Sequence, residues 1–152
     1  MNVYEKLDEL GLILPPFPKK GGVYAKVKRV GNLLYISGQG PTVNGESLYT
    51  GKLGSTISFE DGQEAAKACA LNVLSCLEEY LGDLNQVKNI VKILAFVASA
   101  EGFAQQPQVV NPASQLFIDV FGEAGEAARS AIGTNELPGN IPVEIEAIVE
   151  VY

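Results

Sequence analysis

The 152-residue chain has no histidine, so any chemistry it performs rests on arginine, carboxylates, lysine, tyrosine, hydroxyls or backbone groups. Ser-His-Asp and Cys-His nucleophile systems, imidazole zinc ligands and histidine general bases are excluded, and no metal site is expected. Arg129 stands out because it enters an otherwise small and apolar run, Ala127-Ala128-Arg129-Ser130-Ala131-Ile132-Gly133. A guanidinium at the end of a strand offers a bidentate fork to a carboxylate or phosphate. Such charge-assisted bonds are worth about 1.5–3 kcal/mol each, enough to select anionic substrates about ten- to a hundredfold. The competing reading is a surface ion pair of little energetic weight, natural where acids outnumber bases.

Glu144, Glu146 and Glu150 form an acidic row in the last segment. Such a row is either a solvated strand face or, where one member meets a cleft beside an arginine, a means to position and activate water. The pattern leaves three equivalent carboxylates for that role. Tyr24, Ser37 and Asn111 are ordinary polar residues until a fold gathers them. Cys69 and Cys76 lie seven residues apart, about 10 Å along a helix axis, too far to bridge. They read as small buried hydrophobes.

The elements that must position these groups follow from periodicity. Val3, Leu7 and Leu10 predict a short amphipathic helix stopped at Gly11, and Leu14-Pro15-Pro16-Phe17-Pro18 predicts an extended connector. Residues 24–30 and 33–37 predict a hairpin around Gly31-Asn32. A polar loop is expected from Gly38 to about Thr56. Ser58-Phe59-Glu60-Asp61 carries the capping-box pattern and opens a long helix to Leu81, with Ala65, Ala66, Cys69, Val73, Cys76, Leu77 and Tyr80 on one stripe and Gly82 at its end. Residues 89–99 are apolar on both alternating faces, which predicts a strand covered on both sides. A second helix is expected over Pro112–Phe121 with Asn111 as its cap. Residues 129–134 and 142–152 predict two further strands, the last placing Val143, Ile145, Ala147, Val149 and Val151 on one face.

This order describes an α+β domain with a mixed sheet and two main helices on one face. Two helices leave the other face of strand 90–97 open, and association of subunits is its simplest cover. The division expected is an N-terminal helix and Pro-rich extension over residues 1–21, then a domain over residues 22–152. Eleven basic residues against eighteen acidic ones give 11 − 18 = −7, which argues against a nucleic-acid partner because phosphates demand clustered Lys and Arg. The start, Met1-Asn2-Val3-Tyr4-Glu5, is acidic where a signal peptide would be basic, and no apolar run reaches membrane-spanning length. A cytoplasmic, soluble protein with no membrane partner is expected.

Two groups of residues together carry a resemblance. Tyr35-Ile36-Ser37-Gly38-Gln39-Gly40-Pro41, paired with Ala128-Arg129-Ser130-Ala131, Leu137-Pro138 and Val143-Glu144-Ile145-Glu146-Ala147, resembles the YjgF/RidA family, also called the L-PSP endoribonuclease family. The resemblance covers residues 22–152. It implies a chorismate-mutase-like fold, a homotrimer with clefts between subunits, and hydrolysis of reactive enamines and imines such as 2-iminopropanoate and 2-iminobutanoate to 2-oxo acids and ammonia, without a cofactor. It further implies Arg129 as the carboxylate-binding arginine and Glu144 as the water-positioning glutamate. Tyr24, Ser37, Gly38 and Asn111 would line the cleft, and a backbone carbonyl near Ala131 would help orient water. The chain departs from shorter members in having residues 1–20, a longer 103–110 connection, and Ala131 where a cysteine often stands; a longer branch of the family shares these features. The rival readings are a ribonuclease and a non-catalytic trimer that binds small carboxylate metabolites.

Overall fold

The computed structural model describes residues 2–152. In chain order the elements are α1 (Val3–Glu9), β1 (Val27–Val30), β2 (Leu33–Gln39), β3 (Thr42–Val43), β4 (Glu46–Ser47), α2 (Phe59–Leu81), β5 (Val87–Ala98), α3 (Gln106–Phe121), β6 (Ala128–Thr134) and β7 (Val143–Val151). The main sheet runs β1-β2-β7-β5-β6. Its pairs are antiparallel except β5 with β6. A parallel pair needs a crossover, and α3 supplies it.

Local chemistry explains most of these elements. Val30 pairs with Leu33, so Gly31-Asn32 is a two-residue turn, and Gly31 takes the positive φ of 58° that such a turn demands. Ser58 Oγ accepts the Asp61 backbone N–H at 3.1 Å and caps α2. The α2 stripe faces inward as predicted from Ala65 to Leu77, while Tyr80 at its end is exposed. Along β7 every second residue from Val143 to Val151 is buried, matching the period of two.

Two expectations require correction. The second helix begins at Gln106 rather than Pro112, so Asn111 sits inside α3 and does not cap it. Pro107 occupies the first turn, where a missing N–H costs nothing. Pro112 removes the N–H that would bond the Gln108 carbonyl, and Gln63 Nε2 replaces it at 3.0 Å. The stretch after Gly38 is likewise more ordered than a polar loop. β2 continues to Gln39, β3 and β4 form a small hairpin turning at Asn44-Gly45, and Leu53 is fully buried with backbone hydrogen bonds to Ala98 and Ala100.

Helices α2 and α3 cover one face of the sheet, where Leu34, Ile93, Ala95, Val97, Ile145 and Val149 join the core. On the other face Tyr35 and Ile132 are about half exposed, and Leu94, Phe96 and Ile148 are only partly buried. A depression of about 470 Å³ lies on this face, lined by Tyr35, Ser37, Lys92, Leu94, Glu146 and Ile148 among others. Helix α1 packs on α3 through Val3 and Leu7, and Tyr4 Oη donates to Glu78 at 2.6 Å.

Candidate functional site

Arg129 lies on β6, the edge strand of the sheet. Its partner on β5 is Ile93, a core residue, so Arg129 stands on the face that carries the helices. There Nη1 donates to Asn111 Oδ1 at 2.9 Å and to Ser114 Oγ at 3.1 Å. Both acceptors sit on α3 one turn apart, so one helix face holds the guanidinium. No carboxylate lies within 4.0 Å of Arg129 among the described residues. The surface ion pair weighed above is therefore absent there, and the remaining guanidinium N–H groups are available to a ligand. Ala131, two residues on, shares this face and is half-buried against the core. Ser114 escaped the sequence reading; its signal was the i, i+3 spacing from Asn111, which means something only once residue 111 lies within a helix.

Glu144 lies on the opposite face. It pairs with Phe96, three residues from Ile93 along β5, and an odd spacing in a strand reverses the face. Two strand spacings and three residues separate it from Arg129, about 14 Å between backbones. A single chain therefore does not bring Arg129 and Glu144 together. Glu144 instead meets Gly38 at a bulge of β2, where the pairing with β7 slips between Ile36 and Gln39. A Cβ on Gly38 would fall 2.8 Å from Glu144 Cδ and 2.9 Å from Oε2, so the missing side chain is what makes room for the carboxyl.

The three glutamates of the acidic row have distinct surroundings. Burial holds the Glu144 carboxyl above its ordinary value, and the neighbouring Glu146 charge adds to this. Glu146 borders the depression on the open face. Glu150 accepts from Asn89 at 2.7 Å and from Lys88 at 3.0 Å, which lowers its pKa. The half-buried member with a raised pKa is the one suited to take a proton from water.

Gly38 also borders a cavity of about 410 Å³, shared with Tyr24, Gln39, Pro138 and Ile141 and with Pro18 and Lys19 of the N-terminal segment. Tyr24 Oη accepts the Gly21 N–H at 2.8 Å. Ser37 Oγ donates to the Ala25 carbonyl at 2.7 Å, so its proton is committed while its lone pairs remain acceptors. Buried Asn72 was also missed; its Nδ2 donates to the Gly40 and Thr42 carbonyls at 2.9 and 2.7 Å and fixes the backbone beyond Gly38. Burial pushes Cys69 well above its ordinary pKa and Cys76 up to about 11, which leaves both as thiols. Among the described residues no group of acidic, cysteine or histidine side chains could hold a metal.

The candidate residues thus fall into two sets. Asn111, Ser114, Arg129 and Ala131 occupy the β6–α3 edge; Tyr24, Gly38 and Glu144 lie around the β2 bulge, with Ser37 beside them. A family model described as "YjgF/chorismate mutase-like, putative endoribonuclease" matches residues 5–150. The chain belongs to this YjgF/RidA family. Relatives include Protein TCP17 of Trypanosoma cruzi, 41% identical over 98% of this chain and 94% of that one. A 2-iminobutanoate/2-iminopropanoate deaminase of Dermatophagoides farinae is 29% identical over 89% and 91%. Among solved structures, protein Atu1372 of Agrobacterium tumefaciens superposes with a TM-score of 0.91 at 40% identity, covering 99% of this chain and 92% of its own. The likeness to Atu1372 extends through the N-terminal segment as well as the sheet, and the family match itself begins at residue 5. No helix among the described residues is long and apolar enough to cross a membrane.

Proposed function

We propose that this YjgF/RidA protein is a cofactor-independent deaminase of small 2-imino acids, working as a homotrimer whose sites lie between subunits. The observation that carries the reading is the division of the candidate residues into two incomplete halves on opposite sheet faces. The Arg129 edge of one copy set against the Glu144 bulge of another supplies an anion-binding fork opposite a carboxylate base. The partly exposed apolar sheet face is the natural surface for that association, because Tyr35, Ile132 and their neighbours gain from leaving water.

In this mechanism Arg129, braced by Asn111 and Ser114, grips the substrate carboxylate. Glu144 and the backbone carbonyl near Ala131 hold a water molecule toward the imine carbon. Water oxygen bonds to that carbon as Glu144 accepts its proton. With the imine protonated, this gives a carbinolamine whose nitrogen takes the proton back from Glu144; the C–N bond breaks as the hydroxyl passes its own proton to Glu144 and forms the C=O, and ammonia leaves a 2-oxo acid. An imine is already electrophilic, so positioning and one base suffice without a metal or a covalent nucleophile. The relative named as a deaminase supports the choice of substrate class.

Imine generated by an amino-acid oxidase from 2-aminobutyrate tests the proposal. Catalytic amounts of the protein should speed ammonia release and suppress trapping of the imine by semicarbazide, and Arg129→Ala should abolish the effect. Unchanged trapping with the wild-type protein would sink the deaminase reading. Arg129-dependent binding of 2-oxobutanoate without turnover would point instead to a carboxylate-binding trimer.

A further inference from the structure

The N-terminal segment forms one wall of the cavity beside Gly38, and it is held there at two points. Ser75, fully buried in α2, donates to the Pro15 carbonyl at 2.8 Å. Lys26 Nζ donates to the Pro18 carbonyl at 2.7 Å while also pairing with Glu79. Prolines at 15, 16 and 18 stiffen the backbone between these anchors. The residue that follows, Lys19, therefore leaves a fixed point at the cavity mouth.

Lys19 is the one charged side chain among the residues lining that cavity. Like Lys20, Lys28 and Lys92 it has no carboxylate within 4.0 Å among the described residues, whereas Lys6, Lys26, Lys52, Lys67 and Lys88 each have one, and of these four unpaired lysines it alone borders this cavity. Gly38, which borders the same cavity, packs directly on Glu144, so the cavity adjoins the proposed base. Lys19 is thus an exposed cation on an anchored backbone, bordering a cavity of mixed polar and apolar lining, with no carboxylate beside it.

We propose that Lys19 is a specificity-determining residue that directs this cavity toward 2-imino acids bearing a second anionic group, small dicarboxylates above all. The inference rests on the deaminase reading for the first carboxylate, which Arg129 takes from the β6 edge. Lys19 belongs to the other half of the site, so the two cations meet the ligand from opposite sides and a monocarboxylate engages only one. An exposed ammonium on a distal carboxylate is expected to contribute about two- to fivefold in affinity.

Isothermal titration with 2-oxoglutarate and 2-oxobutanoate, stable carbonyl analogues of the two imine classes, tests this on the full-length protein. The wild type should bind 2-oxoglutarate about two- to fivefold more tightly than 2-oxobutanoate. Lys19→Gln should erase that ratio and leave 2-oxobutanoate binding unchanged, Lys19→Arg should keep most of it, and Lys20→Gln should leave it intact. With imines as substrates, Lys19→Gln should raise KM for the dicarboxylate while kcat holds. Equal wild-type affinities, or a ratio that survives Lys19→Gln, would overturn the role of Lys19 while Arg129-dependent binding of 2-oxobutanoate leaves the deaminase reading standing. Binding of neither acid would overturn both.

Discussion

Replacing Gly38 by alanine probes the contact on which the proposed base depends. The new Cβ would lie 2.8 Å from Glu144 Cδ, 2.9 Å from Oε2 and 3.0 Å from Cγ, whereas ordinary contact begins at 3.4 Å. The carboxyl must therefore retreat by 3.4 − 2.8 = 0.6 Å, a move a glutamate side chain makes by rotation. Gly38 is not among the glycines with positive φ, so alanine adds no backbone strain. Removing a strand glycine should by itself stabilise the fold by about 0.5–1 kcal/mol through the unfolded state, which offsets the repulsion. Stability should change little while catalysis suffers, because a displacement approaching 1 Å in a positioned group costs up to about a hundredfold. The expected loss is about 10- to 100-fold in kcat/KM, or about 1.4–2.7 kcal/mol on the barrier. Oxidase-coupled ammonia release measures the rate, thermal unfolding monitors the fold, and carboxyl-carbon NMR follows the Glu144 titration independently of activity. A variant with rate within about twofold of wild type and an unaltered Glu144 titration would refute the assignment of this contact to the site.

Further predictions concern the groups around the two half-sites. Arg129→Lys should lose most of the activity that Arg129→Ala loses, at least about tenfold, because an ammonium cannot keep Asn111 and Ser114 engaged while presenting a planar fork; steady-state kinetics on the imine decide it. Glu144 is held above its ordinary value of 4.5, so its protonated form is favoured in the folded state. The stability it contributes is present below pH 4.5 and lost as pH rises through the raised value. Glu144→Gln should accordingly be more stable than wild type at pH 7 in urea unfolding, with the difference gone below about pH 4, while its deaminase rate falls at every pH. Asn72→Ala leaves the Gly40 and Thr42 carbonyls without their donor and should cost about 2 kcal/mol, seen as a Tm lower by about 4–8 °C.

Much of the framework was legible because short-range chemistry and long-range packing agree there. Strict alternation in residues 143–151, a capped amphipathic run from Ser58 to Leu81 and the Gly31-Asn32 turn each state their structure locally, and the fold keeps all three. Asn111 shows where that agreement ends. Proline at 112 and asparagine at 111 read as a helix start, but Gln63, from a different helix, satisfies the carbonyl that Pro112 abandons. Nothing within residues 105–121 encodes that donor. Leu53 misled similarly: an isolated leucine in a polar stretch carries no periodicity, and its burial follows from backbone pairing with residues 98 and 100.

The sequence by itself determined the kind of chemistry available, through the absence of histidine and the presence of an arginine and a glutamate row in recognisable surroundings. It also determined the fold class, because hydrophobic period and turn residues are local properties of the chain. Only the tertiary structure separated Glu144 from Glu146 and Glu150, since identical side chains at even spacing differ solely in what neighbouring strands place beside them. Only the tertiary structure, too, put Arg129 and Glu144 on opposite faces of the sheet. Strand order and register decide that relation, and both arise from pairings between segments far apart in the chain.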